Sequence, residues 1–276
     1  MTTFLKMHGL GNDFVVFDAR DHAVAISPAQ TKGVADRRFG IGCDTVVIIG
    51  PGGADTDASL RFLNADGGEV ESCGNATRCI ARLLMDERGL PRVRLATRGG
   101  LLTCTAAGKA LVETDMGPAR VDWQEIPMAE QRDTLNFELP LEGQKIPASA
   151  VSVGNPHCVI FVPDADKAPV AALGPRIETH PLFPKKVNAE FVSVISPQKL
   201  RMRVWERGVG ITLACGTGAC AAAVAAVRRG LAGRKVEVVL DGGSLQIEWR
   251  ESDGHVIMTG PTALVYRGQV DLRNFG

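Results

Sequence analysis

The sequence predicts an α/β protein with mixed sheets, built as two pseudo-symmetric halves that each curl a sheet around a central helix. Three observations carry that expectation. Strand-like runs occur in both halves, at Phe14–Phe17, Val46–Ile49, Val159–Val162, Phe191–Ile195 and Val236–Leu240. Each is short, β-branched and bounded by Gly, Pro, Asn or Asp. A Cys-Gly pair then opens a helical segment in each half, and each segment closes on Arg-Gly.

The first helix follows Cys73. Apolar residues fall at Ala76, Cys79, Ile80, Leu83 and Leu84, the i, i+3, i+4 spacing of an amphipathic helix, and Gly89 and Pro91 stop it. The second follows Cys215. Its run Ala219–Val227 is apolar all round, so this helix should be buried on most sides, with Arg228, Arg229 and Gly230 as its C-terminal signal. A glutamate-bearing, Gly-containing turn precedes each: Asn64-Ala65-Asp66-Gly67-Gly68-Glu69 and Glu206-Arg207-Gly208-Val209-Gly210. The alignment of the two segments suggests an internal duplication. Pro118–Pro147 is more polar and Pro-punctuated and is expected to cross between the halves.

The bulk numbers narrow the function. The chain has 276 residues, 45% of them apolar and 22% charged, a globular composition for one large or two ordinary domains. Basic and acidic residues balance at 31 each, so nothing steers nucleic acid or an anionic membrane. Aromatics are only 5%, too few for a base-stacking surface. No apolar run approaches the roughly 18 residues of a membrane helix, and Met1–Phe17 lacks the basic-then-apolar order of a signal peptide. A cytoplasmic location is expected. Seven cysteines make an odd number for a disulfide framework, and their spacing is not that of zinc ligands. Reduced thiols and no bound metal are the expectation.

A thiol at a helix N-terminus faces unused backbone N–H groups and the positive end of the dipole, which favours thiolate. Two such thiols, Cys73 and Cys215, can serve as base and acid for moving a proton from one face of a carbon to the other. An amino-acid α-proton is so weakly acidic that the carbanion must be stabilised as it forms, and backbone N–H groups from two helix N-termini could hold the growing enolate charge. The glycine after each cysteine lets a ligand approach the backbone closely. Cys43, Cys79, Cys104 and Cys220 read instead as small buried apolar residues. Asn12, Asn64, Asn155 and Asn188 sit in turn contexts, where asparagine is ordinarily a turn former. Together they could supply neutral donors and acceptors for a zwitterion, with Glu206 and Arg207 as a charge pair. His157, alone, reads as a turn or core histidine and at most a supporting residue.

At this point the residues resemble the diaminopimelate epimerase family over essentially the whole chain. The matching segments are His8-Gly9-Leu10-Gly11-Asn12-Asp13-Phe14, Gly40-Ile41-Gly42-Cys43-Asp44, Asn64-Ala65-Asp66-Gly67, Cys73-Gly74-Asn75, Gly154-Asn155-Pro156-His157, Asn188-Ala189-Glu190-Phe191, Trp205-Glu206-Arg207-Gly208 and Ala214-Cys215-Gly216-Thr217-Gly218. The resemblance implies cofactor-independent epimerisation of LL-2,6-diaminopimelate to the meso form, in lysine and peptidoglycan precursor synthesis, by a homodimer. It implies an N-terminal domain of residues 1–118 plus 264–276, because the C-terminal tail returns to it, and a C-terminal domain of residues 119–263. By that likeness Asn12, Asn64, Asn155, Asn188, Glu206 and Arg207 bind substrate, and Gly74, Asn75, Gly216 and Thr217 hold the reacting carboxylate. In the LL to meso direction Cys73 would start as thiolate and Cys215 as thiol.

Two positions depart from the family pattern. Thr45 stands where Gln is usual, so one substrate contact is lost or made through water. Ala76 stands where Gly is frequent, which a helical φ tolerates. A proline or hydroxyproline racemase shares the two-cysteine idea but would show Met-Cys-Gly-His and Ser-Pro-Cys-Gly-Thr. A phenazine-pathway isomerase shares the fold but is not expected to keep both cysteines. A thiol redox sensor is the reading from another class, in which a Cys73–Cys215 disulfide is the purpose; here it is expected only as an inactivating oxidation.

Overall fold

The computed structural model describes every residue except Ser72 and Glu142; Ser72, which precedes Cys73 in the motif, thus lies outside the described residues. The chain divides into two compact units, Met1–Thr114 with Gly260–Gly276, and Asp115–Thr259.

In the first unit β1 (Thr2–Gly9) and β2 (Asn12–Asp18) form an antiparallel hairpin with Gly9 facing Asn12. Its two-residue turn sets Leu10 at φ 57° and Gly11 at φ 80°. That left-handed pair matches the twist of the strands and starts β2 at Asn12. Helix α1 (Pro28–Ala35) begins with a reciprocal cap between Ser27 and Gln30. Strand β3 (Thr45–Pro51) runs parallel to β2, and β4 (Ala58–Asn64) returns antiparallel to β3, with Thr45 facing Asn64. The short β5 (Glu69–Val70) leads into α2 (Gly74–Arg88), which Gly89 ends at φ 64°. Strand β6 (Arg92–Thr97) runs parallel to β4, and β7 (Gly100–Ala106) pairs antiparallel with β6. Strand β8 (Leu111–Pro118) leads out of the unit.

Helix α2 buries the stripe its sequence announces. Ala76, Cys79, Ile80 and Leu84 are sealed from solvent against Phe14, Val47, Phe62 and Leu95, while Leu83 is only partly buried. Burial of a large apolar side chain contributes about 1.5–3 kcal/mol, so this helix is held by its packed face rather than by propensity.

The second unit repeats the series. Strands β9 (Phe137–Leu141) and β10 (Gln144–Ser152) form a hairpin, and β11 (Pro156–Phe161) pairs antiparallel with β10. After α3 (Val170–Glu178), β12 (Asn188–Ser196) runs parallel to β11 and β13 (Lys199–Glu206) antiparallel to β12. The short β14 (Gly210–Ile211) precedes α4 (Gly216–Arg228). Then β15 (Lys235–Leu240) runs parallel to β13, and β16 (Gly243–Trp249) and β17 (His255–Pro261) meander on. The chain then returns to the first unit, where β18 (Ala263–Val270) pairs antiparallel with β1. Helix α4 is buried from Gly218 through Ala226, as an all-round apolar run requires. Pro118–Pro147 is no bare crossing: Ile126, Met128, Phe137, Leu139 and Leu141 join the second unit's core. Their alternation with polar neighbours in β9 is the two-residue period that the prolines obscured.

The duplication extends to register. Phe14 faces Thr45 and Val16 faces Val47 across β2–β3, whereas His157 faces Asn188 and Val159 faces Glu190 across β11–β12. Thr45 then faces Asn64, and the pairing of Ala189 with Trp205 sets Asn188 level with Glu206. The two series therefore match Asn12 with Asn155, Phe14 with His157, Thr45 with Asn188, Val47 with Glu190, Asn64 with Glu206, and Cys73 with Cys215.

Candidate active site

The predicted residues divide between the units, each with one of the two cysteines. In the first, Cys73 is the N-cap of α2, with extended backbone at φ −144° and ψ 102°. Its Sγ lies 3.8 Å from Asn12 Oδ1, which also accepts from Asn75 Nδ2 at 3.2 Å. Asn12 is oriented from behind, because its Nδ2 donates to Asp44 Oδ2 at 2.9 Å. Asp44 in turn receives Arg37 Nη2 at 2.7 Å. Asp13, beside Asn12, is partly desolvated, which alone would raise its carboxyl. Hydrogen bonds from Arg37 and Lys6 prevail and hold it at about 2. The hairpin turn is thus staked by charge on one side and presents Asn12 on the other.

Asn75 is itself buried, with its Oδ1 accepting from Arg78 Nη2 at 2.5 Å. Arg78 is fully enclosed and also donates from Nη1 to Gly74 O at 3.3 Å. Gly9 lets β1 approach this helix start, since a Cβ there would sit 3.2 Å from Asn75 Cβ. Thr45 is buried on β3 and Asn64 half-buried opposite it on β4. Thus the predicted Asn12, Thr45, Asn64, Cys73, Gly74 and Asn75 all lie in this one unit. Sequence reading missed Asp44 and Arg78 as organisers. Asp44 stood inside a quoted motif, but Arg78 gave no signal beyond one charged residue within an apolar stripe.

In the second unit Cys215 is the N-cap of α4 and is buried. Its Sγ accepts from Gly218 N at 3.4 Å and lies 3.6 Å from Thr217 Oγ1. Burial pushes this thiol well up, and the nearby Glu206 and Glu190 carboxylates push it further; the Thr217 and Gly218 donors act in the opposite sense. Glu206 is also raised, first by desolvation, against hydrogen bonds from the Thr212 hydroxyl and from Cys215. The second half therefore pairs a buried thiol with a carboxyl that prefers to be neutral, an arrangement able to exchange one proton.

Asn188 fixes the next turn. Its Nδ2 donates to Pro156 O at 2.9 Å, and its Oδ1 accepts from Arg207 N at 2.9 Å. Glu178 braces the same turn, accepting from Trp205 Nε1 at 2.7 Å and Gly208 N at 3.0 Å. Arg207 directs its guanidinium to Lys185 O at 3.1 Å, so in this structure its partner is a carbonyl. Asn155 Nδ2 donates to Thr217 Oγ1 at 3.3 Å, and Asn155 Oδ1 receives His157 Nε2 at 2.9 Å. His157 is a buried member of the cluster, with Nδ1 at 2.6 Å from Glu190 Oε1. Glu190 is a third organiser that sequence reading passed over; its only signal was a glutamate inside an apolar strand run.

All seven cysteines are free thiols. Burial drives Cys43 and Cys79 up to about 12 and Cys104 to about 11, and Cys158 is raised as well. These four are packing residues, and Cys220 lies sealed within α4.

Comparison with known proteins accords with this geometry. The family model described as Diaminopimelate epimerase matches residues 4–121 and 149–265. Diaminopimelate epimerase of Phenylobacterium zucineum (strain HLK1) is 53% identical over 270 residues, covering 97% of each chain. That of Acidiphilium cryptum (strain JF-5) is 50% identical over 270 residues, covering 97% of this chain and 96% of its own. Among solved structures, a probable proline racemase from Agrobacterium radiobacter K84 superposes with TM-score 0.71 at 18% identity, covering 99% of this chain and 93% of the other. At that identity the likeness is one of fold alone.

Proposed function

The chain belongs to the diaminopimelate epimerase family, and from that premise we propose how its residues perform the reaction. The activity is epimerisation of LL-2,6-diaminopimelate to the meso form, an isomerase step serving lysine and peptidoglycan precursor synthesis. One observation supports a two-base mechanism above all: the fold is built twice, and each copy begins its central helix on an N-cap cysteine.

In the LL to meso direction the Cys73 thiolate removes the α-proton, and the electron pair passes into the α-carboxylate as an enediolate. The first-turn N–H groups at Gly74, Asn75, Gly216 and Thr217 receive that charge; a helix does not use these groups internally. The Cys215 thiol then returns a proton to the opposite face of the carbon. Proton count is conserved, and the thiols emerge with exchanged protonation states. Asn12, Thr45, Asn64, Asn155, Asn188, Glu206 and Arg207 supply donors and acceptors for the zwitterionic heads. Their fixed amide orientations, such as Asn12 against Asp44, reduce the reorganisation needed in the transition state. A homodimer in the cytoplasm completes the proposal.

The test is α-proton exchange of LL-diaminopimelate in D₂O, followed by NMR without added cofactor. Wild type should incorporate deuterium while forming meso product, and Cys73→Ala and Cys215→Ala should each abolish conversion. Full conversion by either variant would refute the two-base assignment.

A further inference from the structure

The duplication exposes one pair of residues that the fold does not need. His157 and Glu190 are fully buried in the second unit and joined at 2.6 Å. Their equivalents in the first unit are Phe14 and Val47, both fully buried and purely apolar. The same two parallel strands therefore close a core with or without ionisable groups. Buried ion pairs seldom improve on an apolar filling, so stability alone does not explain this one.

The neighbouring helix start is adapted to the pair. A Cβ at Gly218 would meet Glu190 Oε1 at 2.9 Å and Cys215 Sγ at 3.2 Å. The first unit has Ala76 at the matching position, against the smaller Val47. Glu190 and the Cys215 sulfur thus flank one spot kept clear of side chain. The second carboxylate oxygen, Oε2, is buried without a hydrogen-bond partner among the described residues.

We propose that Glu190 is a positioning residue for the epimerisation: it sets the direction of a buried hydrogen-bond chain that points the Thr217 hydroxyl hydrogen at the Cys215 sulfur. The chain reads in one sense. Asn155 Oδ1 can only accept, so His157 Nε2 carries a hydrogen and donates to it at 2.9 Å; the pair then holds two protons, the second lying between Glu190 Oε1 and His157 Nδ1. That contact turns Asn155 Nδ2 toward Thr217 Oγ1 at 3.3 Å. Thr217 Oγ1 accepts there, so its own hydrogen is left for Cys215 Sγ at 3.6 Å. Gly218 N–H adds a second donor to the same sulfur.

Two donors aimed at sulfur stabilise its thiolate. This is the state Cys215 reaches after giving up its proton in the LL to meso direction, and the state from which it starts the reverse reaction. The charged and titratable groups facing Glu190 and Cys215 are His157 from β11, Cys158 beside it, and Glu206 at the end of β13. Burial, Glu206 and the charge of Glu190 itself oppose the thiolate, and the chain offsets them. No proton crosses the chain in turnover; it supplies direction.

The proposal rests on Cys215 being one of the two catalytic thiols, so the first readout is independent of turnover. In ¹⁵N-histidine-labelled native enzyme, with His157 assigned by difference against His157→Gln, Nε2 should carry its hydrogen. A bare Nε2 in the native enzyme overturns the proposal, and no variant is needed to see it. The second readout is Glu190→Gln. Glutamine faces the ring equally well with its carbonyl or its amide, so the polarity is no longer dictated. An Nδ1–H tautomer should appear. Loss of the Glu190 charge alone would move the acid limb of kcat/KM in the meso to LL direction down, so the rise of about one pH unit expected here, a tenfold loss below it, reports the lost donor. Thr217→Val should shift the same limb in wild type and add little in Glu190→Gln. An unmoved limb in Glu190→Gln, or full additivity with Thr217→Val, refutes the relay. Failure of wild type to exchange the α-proton would instead strike the epimerase reading, while the ring's state stays readable.

Discussion

Replacing Gly218 with alanine puts one methyl where two buried atoms already stand. The new Cβ would lie 2.9 Å from Glu190 Oε1 and 3.2 Å from Cys215 Sγ. Neither neighbour yields cheaply. Glu190 is fully enclosed and tied to His157 at 2.6 Å, and Cys215 is fixed by the first turn of α4. Overpacking of this kind costs about 1–3 kcal/mol. Alanine's helix propensity returns about 1 kcal/mol, less in a first turn. The expected balance is a destabilisation of about 1–2 kcal/mol, read from urea unfolding at unchanged m. Activity should suffer more than stability, because relief of the clash moves the sulfur or the carboxylate; kcat should fall at least tenfold with KM little altered. The matched change in the other unit, Ala76→Gly, relieves no contact and should cost about 1–2 kcal/mol, through propensity and the loss of one buried methyl, with kcat little altered. Wild-type stability together with wild-type kcat in Gly218→Ala would refute the claim that Glu190 and Cys215 occupy that space.

Thr45→Val keeps shape but removes the hydroxyl proposed to meet substrate. KM should rise about two- to tenfold at constant kcat, the size of one neutral hydrogen bond, and an unchanged KM would remove Thr45 from the binding set. Glu178→Gln places an amide donor against Trp205 Nε1–H or Gly208 N–H; loosening of the 206–208 turn should lower kcat/KM about tenfold or more, checked by steady-state kinetics. Asp13 has a folded-state carboxyl depressed to about 2 from 3.8, so its stabilisation is present above the unfolded value and is lost as pH falls toward 2. Asp13→Asn should therefore flatten the loss of stability between about pH 4 and pH 2, measured by thermal unfolding, and an identical pH slope would sink the assignment. Lysine, which lacks the second amino-acid head, should turn over at least about 10⁴-fold more slowly than diaminopimelate, since it would leave buried polar groups unpaired; comparable rates would overturn the substrate assignment.

The strands and both Cys-capped helices were legible because each is written in a local code. Phe14–Phe17 and Val46–Ile49 are short continuous apolar runs between punctuating residues, and the stripe from Ala76 to Leu84 repeats at helical spacing. The two cysteines were legible for a similar reason, since an N-cap followed by glycine is a local event. Residues acting through non-local pairing were not. Asp44 orients Asn12 across a parallel strand pair, and Arg78 reaches Asn75 from within a helix that otherwise reads as packing. Neither partnership leaves a periodic trace. Pro118–Pro147 was misjudged because its prolines hid the short alternation of β9, which tertiary packing completes.

A duplicated fold supplies its own control for which residues are structural. Where the two units agree in chemistry, as at Leu60 and Met202 or Val46 and Ala189, the fold is served and no function need be invoked. Where they differ, the fold has been shown to tolerate both fillings, and the costlier one requires another reason. Phe14, Val47 and Ala76 make a dry cap over the start of α2, with Cys73 partly exposed and set against an acceptor, Asn12 Oδ1. His157, Glu190 and Gly218 make a polar one over the start of α4, with Cys215 buried and set against donors. An acceptor beside Cys73 favours S–H there, whereas the donors beside the Cys215 sulfur favour S⁻ against burial and the Glu206 and Glu190 charges, which favour S–H. A reaction that needs one thiol and one thiolate cannot be run by two identical halves. The departures from symmetry fall at the positions where that difference has to be built.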